Sequence, residues 1–236
     1  MIELDLALRR GEFSLELALQ SSARALALFG PSGCGKTSTL LAIAGLLRPQ
    51  PGRVAINGHV LFDQRAGVDI PPARRDLGVV FQDARLFPHL TVRENLRYGM
   101  PRGATAQAFD DVVQLLRLSA LLKRRPGQLS GGQGRRVAIG RALLRQPRAL
   151  LLDEPLANLH REARVEVLEH LRGLKRAFVL TTILVSHHPD EVMALADQVA
   201  CIEDGRLAAL QDVLAFAAST GAPAAAPDAH AAIAPG

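Results

Sequence analysis

Tryptophan is absent from the 236 residues, tyrosine occurs once, and aromatic residues make up 4% of the chain. A nucleic-acid surface of basic residues interleaved with stacking aromatics is therefore not expected, despite a formal net charge of +5. Lysine is scarce too: Lys36, Lys123 and Lys175 are the only three, so the positive charge is almost wholly arginine. The two cysteines, Cys34 and Cys201, stand in no CxxC or Cys/His pattern, which argues against a disulfide framework and against a zinc site. No apolar run approaches the roughly 20 residues needed to cross a bilayer; Leu40 to Leu47 and Phe178 to Val185 are the longest. The N-terminus alternates acidic and apolar residues and has no basic start followed by a secretory core, so a cytoplasmic location is expected.

What remains is a chain with 48% hydrophobic residues, enough to bury one sizeable core. Ile2 to Leu8 and Glu12 to Leu19 alternate apolar and polar residues like half-buried antiparallel strands, with Gly11 at their turn. Ala25 to Phe29 reads as a buried strand, and Thr37 to Leu47 as a helix ending at Arg48-Pro49. Asn57-Gly58 between Val54, Ile56, Val60 and Leu61 marks a hairpin. After the Arg/Pro run Pro71 to Arg75 comes a strand, Leu77 to Phe81, and then an amphipathic, mostly helical stretch from Thr91 to Gln146. Strand-like runs return at Ala149 to Leu152, Phe178 to Val185 and Gln198 to Ile202, separated by helical Arg161 to Lys175 and Asp190 to Ala196. This alternation predicts an α/β sheet. Residues 219–236 read as an Ala/Pro-rich disordered tail.

The chemistry starts at Gly30-Pro31-Ser32-Gly33-Cys34-Gly35-Lys36-Thr37, followed by Ser38, which satisfies GxxxxGK[ST] between a strand and a helix. Backbone N–H groups in such a loop wrap phosphates at a helix N-terminus. Lys36 is placed to reach the β- and γ-phosphates of a nucleotide, and the Thr37 hydroxyl to ligate Mg2+. Cys34 reads as a small residue at an unconstrained position of that loop. Leu150-Leu151-Leu152-Asp153-Glu154-Pro155 is an apolar strand ending in two acids at the edge where ligands of α/β sheets bind. Asp153 would hold Mg2+ and Glu154 would act as general base on water. Gln82, after the strand ending at Phe81, is a candidate contact to Mg2+ or to the attacking water. His187, after Val185-Ser186, is a candidate donor to a γ-phosphate.

Leu129-Ser130-Gly131-Gly132-Gln133 resembles the signature of the ABC ATPases, and the resemblance runs from about residue 1 to 218 with the motifs in the family's order. It implies a P-loop NTPase core with an N-terminal antiparallel β subdomain and a helical signature subdomain at about 91–146. It further implies a homodimer in which Ser130, Gly131, Gly132 and Gln133 of one subunit close on ATP held by the other, with Gln82 and His187 as the family's coupling glutamine and switch histidine. The stretches Phe81 to Leu90 and Asn95 to Met100 resemble the molybdate-importer ATPases. The expectation is an Mg-ATP hydrolase at the cytoplasmic face of the inner membrane. It would work with transmembrane permease subunits and, indirectly, an extracytoplasmic substrate-binding protein; sulfate or another cargo, or a weakly hydrolysing regulatory protein, are the alternatives.

Three departures, and a lesser one at His188, accompany the resemblance. His160 stands where the family has aspartate, in a loop that runs between the two subunits. No aromatic occurs at Arg9 or Arg10, where the adenine-stacking residue would fall, and Phe13 nearby is expected to pack within its strand. The resemblance further leads to the expectation of a subunit without the C-terminal oxyanion-binding domain usual in molybdate-importer ATPases. His188 occupies a position where an acid is common.

Overall fold

The computed structural model describes residues 1–101 and 103–220. Among the described residues, eleven strands form one mixed sheet in the order β6-β5-β4-β1-β2-β11-β10-β3-β9-β8-β7. In chain order they are β1 (Ile2–Arg10), β2 (Phe13–Ser21), β3 (Ala25–Phe29), β4 (Gly52–Ile56), β5 (His59–Asp63), β6 (Val68–Asp69), β7 (Leu77–Val80), β8 (Ala149–Asp153), β9 (Thr181–Ser186), β10 (Gln198–Glu203) and β11 (Arg206–Asp212). The helices are α1 (Lys36–Ala44), α2 (Val92–Arg97), α3 (Ala106–Leu115), α4 (Gly131–Leu144), α5 (Arg161–Ala177), α6 (Pro189–Leu195) and α7 (Val213–Thr220).

The sheet has two characters. β1 pairs antiparallel with β2 and β4, and the Asn57-Gly58 turn, both residues at positive φ, closes the β4–β5 hairpin as expected. β10, β3, β9, β8 and β7 are mutually parallel, the arrangement that places loops of different strands at one carboxyl edge. The halves join where β11 meets β2 in parallel register at Arg206 and Glu16. Gly205 makes the close approach possible: at φ 75° it has no side chain, and a Cβ there would lie 2.0 Å from Ser14 O.

Period-two alternation along the parallel strands sorts the core onto two faces. Leu150, Leu152, Leu184 and Val199 face an apolar layer with α4, α5 and α6, while Leu151, Ile183, Val185 and Ala200 face Leu40 and Ile43 of α1. All five residues of β8 are buried, so the strand carrying Asp153 is held from both sides. Truncating a leucine there to alanine would cost about 2–5 kcal/mol.

Several boundaries differ from the sequence expectation. α1 stops at Ala44, not near Leu47, because Gly45 turns left-handed at φ 78° and the buried Arg75 guanidinium donates to Ala42 O (3.0 Å) and Ile43 O (2.8 Å). The last carbonyls of α1 are thus capped by a residue from the Arg/Pro run. Burial pushes the Arg75 pKa down, against the pull of Asp69. β7 ends at Val80, leaving Phe81 in the following loop, and β9 begins at Thr181, leaving Phe178 to Leu180 outside the sheet. β11 and α7 were not expected; α7 carries regular structure to Thr220, two residues into the segment read as a tail, and 221–236 lie outside the described residues. No helix among the described residues is long and apolar enough to cross a membrane.

Candidate functional site

The strand β3 feeds straight into the glycine loop, and α1 opens at Lys36 with Gly35 as its N-cap at φ 110°. A Cβ on Gly30 would lie 2.1 Å from Ile202 O, so only glycine lets the loop fold back against β10. Lys36 is buried, and its ammonium donates to Gly30 O and Pro31 O, each at 2.7 Å. These carbonyls hold the charge at the floor of an open cleft of about 400 Å³ lined by Ser32, Gly33, Gly35, Lys36, Thr37, Ser38, Glu154 and Phe13.

Cys34 is not at an unconstrained position. It is buried, its Sγ lies 3.8 Å from Lys36 Nζ, and its bulk packs against the site of the missing Gly30 side chain. Phe13 lies on the inward parity of β2 with Leu15, Leu17 and Leu19 and packs against their core as expected, while its ring also reaches over Gly35 at the cleft. Its ring therefore forms the apolar wall of the cleft. Period-two alternation in β2 was the signal that could have located it.

The Thr37 hydroxyl donates to Asp153 Oδ1 at 3.0 Å, joining the start of α1 to the end of β8. Burial raises the Asp153 pKa; the Thr37 hydrogen bond lowers it, Glu154 raises it, and Lys36 and Arg85 lower it. A hydroxyl and a carboxylate at the floor of the cleft are the hard oxygen donors Mg2+ takes, and the Lys36 ammonium with the loop amides suits phosphate oxygens. The residues present therefore fit Mg-nucleotide.

Glu154 sits at the strand's exit with φ 44°, a left-handed conformation unusual for a side chain of its size. Its Oε1 is 2.9 Å from His187 Nδ1, so the two sequence-predicted groups from β8 and β9 meet at the sheet edge. The turn carrying His187 is held from behind. Ser186 Oγ donates to Glu191 Oε2 (2.8 Å) and accepts from His188 N (3.0 Å), and buried Glu191 pairs with Arg164 at 2.9 Å. The His188 ring packs at a tilt against His187 with centroids 4.0 Å apart, and burial, then Arg164, lowers its pKa.

The signature residues are elsewhere. Ser130 caps α4, accepting from Gln133 N at 3.3 Å while Gln133 Oε1 accepts from Ser130 N at 3.1 Å, a reciprocal capping box. Gly131 and Gly132 lie against Leu159 and Ala163, where a Cβ would come within 3.2 and 3.0 Å. Ser130 and Gly131 line a second open groove with Gln82, Asp83, Arg85, Arg135 and Asn158. Gln82 is exposed and belongs to this groove, not to the cleft that holds Lys36, Thr37 and Glu154. His160, the aspartate departure, is the exposed N-cap of α5 and makes no side-chain capping bond.

The model of the family described as ABC transporter matches residues 14–157. The chain is 50% identical over 212 residues to the Molybdenum import ATP-binding protein ModC of Paramagnetospirillum magneticum, covering 89% of this chain and 58% of that protein. It is 49% identical over 210 residues to the protein of the same name from Escherichia coli, covering 89% and 59%. The chain thus spans less than two thirds of the length of these relatives. Among solved structures, the dimeric post-hydrolysis state of the ATP-binding cassette MJ0796 bound to ADP and Pi aligns with TM-score 0.74 and 26% identity, covering 90% of this chain and 99% of that one.

Proposed function

The chain belongs to the ABC transporter family, and from that premise we propose that it is the ATP-hydrolysing subunit of a molybdate importer. The observation that carries the hydrolase reading is that Lys36, Thr37 and Glu154 line one cleft, with Asp153 hydrogen-bonded to Thr37 and His187 to Glu154. The cargo rests on the names of the relatives, which are molybdenum import proteins.

In this reading the loop amides of Gly33 to Thr37 and the Lys36 ammonium bind the phosphates. Thr37, Asp153 and, after loop movement, Gln82 would hold Mg2+, which would supply neutralisation of phosphate charge. Asp153 is suited to this because desolvation disfavours its isolated charge and a cation restores it. Glu154 takes the proton of the attacking water, and His187, hydrogen-bonded to it, orients the carboxylate and donates to the γ-phosphate. Phe13 offers its face to adenine in place of the absent aromatic at Arg9 or Arg10.

Because the signature groove is separate from the cleft within one chain, Ser130 to Gln133 act on nucleotide held by a second copy, as the dimeric relative with ADP and Pi supports. Partner permease subunits would seat on the face with Phe87 and the exposed Tyr98, whose rings lie 4.2 Å apart, at the cytoplasmic side of the inner membrane. An extracytoplasmic binding protein would act through that permease. His160, with no cap bond, favours one alternative, a slower enzyme; His160→Asp should then raise permease-coupled turnover.

Two measurements test the proposal. Glu154→Gln should bind Mg-ATP and dimerise while turnover falls about 1,000-fold, of the size lost when a catalytic base is removed; normal turnover would remove Glu154 from its role. The chain co-purified with its permease in lipid should be stimulated by binding protein loaded with molybdate. Stimulation by sulfate instead would reassign the cargo and leave the hydrolase intact.

A further inference from the structure

The loop that carries Gln82 is fastened to the signature helix by two arginines. After β7 the chain runs through Phe81 to Arg85 with no helix or strand of its own, and Arg85 sits at φ 43°. The carbonyls of this segment take hydrogen bonds from side chains of α4. The Arg135 guanidinium donates to Phe81 O and Gln82 O, and Arg141 Nη2 donates to Arg85 O at 2.9 Å and Ala84 O at 3.4 Å. Arg141 also lies over the Phe87 ring, 5.1 Å from its centroid.

Burying a guanidinium costs several kcal/mol unless its donors find partners. Arg135 is buried, and desolvation lowers its pKa against the charges of Asp83 and Asp153; desolvation also lowers that of Arg141. Both partner sets are main-chain oxygens of the same loop. The planar fork of arginine suits such pairs, where an ammonium would offer one mobile point of charge. Ser130, at the head of α4, lies about one and a half turns from Arg135 on the same rigid element.

We propose that Arg135 and Arg141 are positioning residues that tie the Gln82 loop to the signature helix, so that Gln82 reaches the phosphate cleft only when α4 moves. In the present arrangement α4 holds Gln82 in the signature groove, away from Lys36 and Thr37. The inference rests on the shared-site reading above.

Hydrogen–deuterium exchange of the full chain tests it, in the Glu154→Gln background, with and without Mg-ATP, comparing Arg135→Lys and Arg141→Lys with their parent. In the parent, Mg-ATP should slow exchange about 10-fold, roughly one lost opening of 1.4 kcal/mol, in both 82–87 and 130–136. In the lysine variants 130–136 should still slow, while 82–87 exchanges about 10-fold faster than in the parent and no longer responds to nucleotide. β8 should exchange as in the parent, which a general loss of stability would not allow. Equal slowing of 82–87 in parent and variants would overturn the tie. If 130–136 in the parent ignores Mg-ATP, the shared-site reading fails. The tie is then decided without nucleotide: faster exchange of 82–87 in the variants sustains it, and unchanged rates overturn it. Should Arg135→Lys fail to fold, Arg141→Lys, at a half-buried position, carries the same test.

Discussion

The phosphate cleft and the signature groove are built from the same chain by opposite means. In the cleft every charged group is answered from within: Lys36 by two loop carbonyls, Asp153 by Thr37, Glu154 by His187. Lys36 and Asp153 are buried, and the strands beneath them are packed on both faces. In the groove Ser130 and Gln133 answer each other, Ser130, Gly131 and Gln82 are exposed, and Gly132 is buried against Ala163. A helix N-terminus with exposed amides is an anion site waiting for an anion. In the proposed reading, the difference teaches that one chain makes a phosphate-binding floor for its own nucleotide and a lid for another's.

The comparison breaks first at Ser130. Ser130→Arg should reduce hydrolysis about 100-fold, roughly 2.7 kcal/mol, while nucleotide titration of the isolated chain shows affinity within about twofold of the parent. Equal losses in both would mean that cleft and groove form one intrachain site. Phe13→Ala should do the reverse, weakening ADP binding about 10-fold, near 1.4 kcal/mol, by calorimetry. Unchanged affinity would return Phe13 to a packing role.

Asp153→Asn sharpens the contrast through pH. The folded-state pKa of Asp153 is raised by burial, so the folded chain binds more protons than the unfolded one between the ordinary carboxylate range and that raised value. Stability contributed by this group therefore falls as pH rises through that window. The Asn variant should be more stable by about 1 kcal/mol at neutral pH in urea denaturation, and its advantage should vanish in acid. A variant destabilised at neutral pH would mean that the Thr37 bond, not desolvation, dominates. The smallest effect is at His160, where His160→Asp should add about 0.5–1 kcal/mol by capping α5, read as a higher denaturation midpoint.

Much of this was legible in advance. The Asn57-Gly58 turn and the alternation of β1 and β2 declared themselves because each depends on neighbours within a few residues. The end of α1 did not, since its cap is Arg75, more than thirty residues away in sequence from Ala42. β11 was missed because its burial is only partial and its pairing with β2 rests on one glycine-dependent approach.

The same division holds for the chemistry. Sequence alone determined where the candidate groups would stand, because Gly30 to Thr37 and Asp153-Glu154 encode local geometry: a loop before a helix and acids at a strand's end. Only the tertiary structure decided which of them meet. Parallel pairing of β3, β9 and β8 brought His187 to Glu154 and Asp153 to Thr37, the run of β2 set Phe13 over Gly35, and α4 kept Gln82 outside with Ser130. Such meetings depend on register and packing between distant segments, which residue spacing along a chain does not contain.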